Sequence, residues 1–187
     1  MNENNRLTTV HELFKSEPTR VQAWLDLVWS GRECVAKDFN WLLLAEHSGF
    51  LAHHLDDLEW AKVGIRVYEW LHRVSLDYFD LSSMYLRAAF IVKRGAVPGD
   101  PYLDLNLIVK WFYDTLPLSF AETQQGIPTC RETIARGNIN GPEDLRVCRD
   151  LRLIKNHLNV LSFLVENSVL LPDEQLGKWL EIKTSLP

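Results

Sequence analysis

The chain has little that would tie it to a known chemistry. It holds three cysteines in 187 residues, Cys34, Cys130 and Cys148, and no two of them form a CxxC. An odd number in this spacing argues against a disulfide framework and for a reducing compartment. No apolar run approaches the roughly 18 residues that cross a bilayer, so no membrane span is expected. The first six residues are polar and lack the apolar core of a secretion signal, and they read as a loose terminus. Together these features predict a cytoplasmic protein. Positive charge is also short: Lys and Arg number 20 against 25 Asp and Glu, a net charge of -5. A surface of that sign disfavours nucleic acid, because non-specific binding there needs basic groups to displace counterions. GxGxxG, GxSxG, a P-loop and a papain-like cysteine context are all missing, and no cofactor is implied.

What the sequence does have is helical periodicity. Hydrophobic residues make up 47% and charged residues 24%, ordinary values for a globular chain. The length fits a single domain, 1–187, able to hold a core without covalent staples. No segment reads as a strand. Helices are expected at about 9–15, 18–30, 34–55, 57–74, 77–94, 102–114, 142–167 and 172–183. The fold class is therefore all-α: a helical bundle, or a right-handed stack of helical hairpins like HEAT or tetratricopeptide arrays, with about seven to nine helices. Residues 48–52 align weakly with residues 88–92, which is what favours the stack. The bundle is the simpler reading.

The helix over 57–74 carries one charged stripe, Glu59, Lys62, Arg66, Glu69 and Arg73, with nearly everything else apolar or small. A stripe that narrow predicts a helix packed against two or more neighbours. The next helix repeats the design, with Asp80, Ser83, Arg87 and Arg94 as its wet line and Tyr85 on the dry side. Residues 95–101 form the strongest break in the sequence and separate two halves of the domain. Residues 118–141 are the least regular: two capping-box patterns could each start a short helix, but Gly126, Pro128, Gly137 and Gly141 interrupt them. The helix over 142–167 has a main seam of Val147, Leu151, Ile154, Leu158, Leu161 and Val165. Leu153, Val160 and Leu164 form a second.

Three constellations are candidates for function. His53, His54 and Asp57 bring imidazoles and a carboxylate close in sequence, the donor set of a zinc or redox-metal site. The competing reading is a polar turn with Asp56 or Asp57 capping the next helix. The run misses the DDxx(D/E) diphosphate pattern, since its fifth position is Trp60. Glu46 and His47 share an arc with His53 and His54 on a helix otherwise apolar nearly all round. Buried ionisable groups need partners, so this face is a candidate ligand pocket. Arg149, Arg152 and Lys155 lie on the outer face of the long helix, with Arg146 nearby, and could meet an acidic partner or phosphate.

The reading that absorbs most of these features is a protein-protein interaction module: an adaptor, a regulator or an immunity-type binding protein. Its surface would use exposed aromatics and the 118–141 segment. The partner is another protein, or a second copy of the chain if a Trp-rich helix is left exposed. The alternative is a metal- or ligand-dependent enzyme, or a small-molecule binder, using the polar face around residues 46–57.

Overall fold

In the computed structural model of the chain, residues 56–74 and 78–187 are described. Every regular element among them is helical: α1 (Leu58–Val74), α2 (Tyr78–Arg94), α3 (Leu105–Thr115), α4 (Phe120–Arg136), α5 (Pro142–Glu166) and α6 (Gln175–Ile182), followed by a 3₁₀ turn, Lys183–Ser185. The all-α class holds for this part of the chain. The helices expected before residue 56 lie outside the described residues. No described helix is long and apolar enough to cross a membrane. The chain divides into two compact units, Met1–Phe90 and Ile91–Pro187, with the division inside α2.

In the first unit, Asp57 starts α1. Its Oδ1 accepts from the Glu59 and Trp60 amides at 2.9 and 3.5 Å, the geometry of an N-cap. Ala61, Ile65 and Val67 are buried and Glu59 is exposed, while Lys62, Arg66 and Glu69 are half-buried. The expected wet line of α2 is corrected. Ser83 and Arg87 are buried, and Tyr85, expected on the dry side, is exposed. Arg87 turns inward because its guanidinium pairs with the Glu69 carboxylate of α1, which offsets the desolvation of a buried cation.

In the second unit, Gly95 and Gly99 take left-handed backbone, φ 85° and 82°, around the break at 95–101. Two carboxylates order that loop. Asp100 accepts from the Tyr102 and Leu103 amides. Asp104 accepts from Gly99 N at 2.9 Å and caps α3 through Asn106 N at 2.9 Å. The Gly99 bond, then the Asn106 bond, holds the Asp104 carboxyl below the usual carboxylate range.

Helix α5 is the axis of this unit. Leu151, Ile154, Leu158 and Leu161 of the expected seam are buried, as are Val160 and Leu164 of the second. Val165, near the helix end, is exposed. Trp111 and Trp179 are both buried, and their large rings fill the core of this unit. Trp179 takes Phe112 and Phe120 edge-on, with centroids 5.6 and 5.2 Å apart.

The 118–141 segment is where the structure departs most from expectation. It forms one helix of 17 residues, α4, running through both Gly126 and Pro128. Such residues cost an isolated helix about 1 and 3 kcal/mol relative to Ala, so other forces must hold α4. Ser119 and Glu122 form a complete capping box, and Gly137, at φ 69°, closes the other end. Gly126 is also a close approach: a Cβ there would lie 3.1 Å from Val147 Cγ1 and 3.7 Å from Leu151 Cδ1 of α5.

These packing differences predict measurable stabilities. Leu158→Ala empties a fully buried site and should lose about 2–5 kcal/mol in denaturant unfolding. Val165→Ala, at an exposed position of the same helix, should stay within about 0.5 kcal/mol. Ser119→Ala removes a cap and should cost about 1 kcal/mol. An equal loss at Leu158 and Val165 would contradict the burial described for α5.

Candidate functional site

The sequence candidates separate when placed on the structure. Glu46, His47, His53 and His54 lie outside the described residues. Asp57 is described, and its carboxylate is engaged by backbone amides as a helix cap. Among the described residues, no group of three or more His, Cys, Asp and Glu side chains could hold a metal ion.

Arg149, Arg152 and Lys155 do share α5, but their charges are spent differently. Arg149 Nε and Nη2 reach Asp150 Oδ1 at 3.1 and 3.0 Å. Arg146 adds a longer contact to Asp150 Oδ2 at 3.6 Å. Asp150 is buried, a feature that periodicity alone did not reveal. It takes charge out of the basic patch from below. Arg146 is also bound by Glu143, whose hydrogen bond, followed by its charge, raises the guanidinium pKa further; the same contact lowers the Glu143 carboxyl. Lys155 Nζ donates to the Leu186 and Pro187 carbonyls at 3.3 and 2.9 Å. It anchors the segment after α6, whose Leu186 is buried. Of the three, only Arg152 is exposed without an ion-pair partner among the described residues.

The elements that do come together are α4 and α5. Gly126 faces Val147 and Leu151, Cys130 meets Cys148, and Arg136 Nη2 reaches Asp144 Oδ2 at 3.2 Å. This descending register makes α4 and α5 an antiparallel hairpin. Cys130 and Cys148 are joined as a disulfide with Cα atoms 5.3 Å apart, inside the range a disulfide accepts. The expectation of no disulfide is therefore corrected. The two residues are 18 apart in sequence, and only the hairpin register brings them opposite each other.

Beside Gly126 the hairpin has a cleft of about 220 Å³, lined by Leu118, Glu122, Gln125, Gly126, Arg146 and Val147. It is smaller than the roughly 300–1,000 Å³ of drug-sized ligand sites. Its one cation, Arg146, is compensated by Glu143, Asp150 and Glu122. The Ser119 amide holds the Glu122 carboxyl low. These charges balance within the wall and leave no net attraction for an anion.

The far end of the hairpin is different. Ile134 in the last turn of α4, Ile139 in the connection and Leu145 in the first turn of α5 are 59%, 57% and 55% exposed. Three large aliphatic side chains are thus open to water within residues 134–145, at one end of the hairpin. Sequence reasoning named the 118–141 segment, which holds Ile134 and Ile139, but not these residues, and it placed Leu145 in the long helix without singling it out.

A second polar arrangement lies inside the unit. His157 of α5 is 7% exposed and stacks on Trp111 of α3, with centroids 4.4 Å apart and planes within 6°. Its Nδ1 lies 2.6 Å from the Leu153 carbonyl, which can only accept, so a neutral ring carries its proton on Nδ1. Its Nε2 is 2.9 Å from Thr115 Oγ1. That hydroxyl also has the Trp111 carbonyl within reach at 2.7 Å. The group ties α3 to α5.

Compared with known proteins, the chain matches no family model, no curated protein and no solved structure.

The environment of Tyr113 gives a pH test. Burial, and then the Asp173 carboxylate, pushes its phenol up to about 12. The folded chain therefore keeps this proton where the unfolded chain, with a phenol near 10, has lost it. Stability from this group is complete below pH 10 and is lost as pH rises towards 12. Tyr113→Phe should shift the alkaline unfolding midpoint upward while leaving the acid limb unchanged. Parallel alkaline limbs for the two proteins would show that Tyr113 does not contribute.

Proposed function

We propose that the chain is a protein-protein interaction module, an adaptor, regulator or immunity-type binding protein, whose partner surface is the open end of the α4–α5 hairpin. The observation that carries this reading is the trio Ile134, Ile139 and Leu145, large aliphatic side chains each more than half exposed within a dozen residues of chain. Clustered apolar exposure of this kind is what a binding core needs. Arg152, exposed two turns further along α5 from Leu145, would supply a charge at the rim. The absence of catalytic motifs in the sequence and the small, charge-balanced cleft support a binding role over chemistry. The partner is another protein, and a second copy of the chain is included. A cytoplasmic setting belongs to the same proposal. It rests on the odd cysteine count and the lack of CxxC, and it requires the Cys130–Cys148 bond to be exchangeable.

The test compares the full chain with a variant carrying Ile134→Asp, Ile139→Asp and Leu145→Asp. All three positions are exposed, so the variant should fold with little change in melting temperature. Native mass spectrometry of gently purified complexes should show a stoichiometric second polypeptide on the unsubstituted chain and at least a tenfold loss of it on the variant. Equal occupancy on both would move the surface elsewhere. A bare chain would overturn the module, and one carrying a metal or small molecule in place of a polypeptide would overturn it in favour of the ligand face around residues 46–57.

A further inference from the structure

The α4–α5 hairpin is held by an unusual balance. Of the 17 residues of α4, only Thr123, Ile127, Cys130 and Thr133 are buried, and Ile127 is the one large aliphatic side chain among them. Helix α5 buries eight residues, six of them aliphatic. Helix α4 also carries Gly126 and Pro128, the two poorest helix formers, in its interior. Its ends are held by polar contacts: the capping box at Ser119 and the ion pair of Arg136 with Asp144. Phe120 adds an edge-on contact with Trp179 at the first of them. The covalent bond to α5 lies in the middle of α4, one turn from Ile127, its one large buried aliphatic side chain.

We propose that the Cys130–Cys148 disulfide is a reversible redox latch that keeps α4 seated on α5, and that small thiols of the glutathione class open it. Cys130 is 1% exposed, whereas Cys148 is half-buried, so an external thiolate meets Cys148 first. Its sulfur bonds to Cys148 Sγ, the protein S–S bond breaks, and the electron pair leaves on Cys130 Sγ, which takes up a proton. A second thiolate attacks the external sulfur of this mixed disulfide and frees Cys148, which is protonated in turn. Two small thiols are thereby oxidised to their disulfide as the protein bond is reduced by two electrons, and the small disulfide drives the reverse reaction. Once open, α4 keeps its polar end contacts, the Phe120–Trp179 contact and Ile127, and the Val147 and Leu151 surface beneath Gly126 becomes accessible. The latch stands whether or not the hairpin end is the partner surface.

The test uses the full chain carrying Cys34→Ser, which leaves this pair as its only cysteines. Its thiol state is read by alkylation and intact mass across a series of reduced-to-oxidised glutathione ratios. Amide hydrogen exchange is then followed with and without dithiothreitol. The pair should interconvert within the series. Reduction should speed exchange at residues 123–136 at least tenfold while residues 150–164 change less than twofold. Cys148→Ser should show the fast α4 rates in both buffers. Unchanged α4 exchange on reduction would overturn the latch, as would α5 accelerating in parallel with α4. A pair that stays wholly oxidised or wholly reduced at every ratio would also overturn it. The unsubstituted chain, with alkylation mapped by peptide, gives the same readout should Cys34→Ser fold poorly.

Discussion

Helix α5 has to bury apolar side chains on more than one of its sides, and the arrangement of the Ile91–Pro187 unit follows from that. Leu151, Ile154, Leu158 and Leu161 form one line along the helix, and Val160 and Leu164 lie off it. A single neighbour cannot cover both directions. Helix α4 comes against Val147 and Leu151. Helix α3 meets α5 through Trp111 on His157. The segment after α6 is tied to it by Lys155. Polar groups that this packing buries, His157 and Asp150, are each provided with partners, as buried polar groups require. Asp150 illustrates the cost and its offset: two arginines that look like a free basic patch in sequence are partly engaged in keeping one buried carboxylate satisfied.

Local preference and tertiary contact disagree in α4, and tertiary contact wins. Propensity alone cuts the segment at Gly126 and at Pro128. The observed helix survives because its ends satisfy the orphan backbone groups and because the missing side chain at Gly126 lets α4 approach α5 closely. The glycine that weakens the isolated helix is therefore what permits its docking. A helix assembled this way depends on its neighbour far more than α5 does.

This explains what could be read in advance. Helix α1 and the seam of α5 were legible because long amphipathic patterns repeat many times over. The cap at Asp57 was legible as one of two readings, since a capping carboxylate and a metal-binding carboxylate look alike in a single sequence. The inward turn of Arg87 was hidden because it depends on Glu69, 18 positions away. The pairing of Cys130 with Cys148 was hidden for the same reason: it needs the antiparallel register of α4 on α5, which no spacing rule encodes. The hairpin end escaped notice because Ile134, Ile139 and Leu145 fall on three different local structures, two helix ends and a turn.

The charges around the hairpin bear on the kind of partner it suits. Arg136, Arg146 and Arg149 are each within reach of a carboxylate, from Asp144, Glu143 or Asp150. A phosphate arriving there would have to compete with carboxylates already in place, and a buried one such as Asp150 cannot simply swing away into water. The aliphatic trio has no such competition, since burying it displaces only water, at about 25 cal/mol per Å² of apolar surface. Under the proposed reading, an apolar partner surface would gain more at this end of the hairpin than a polyanion would. The chain's acidic balance and its local charge pairing lead to the same preference by separate routes.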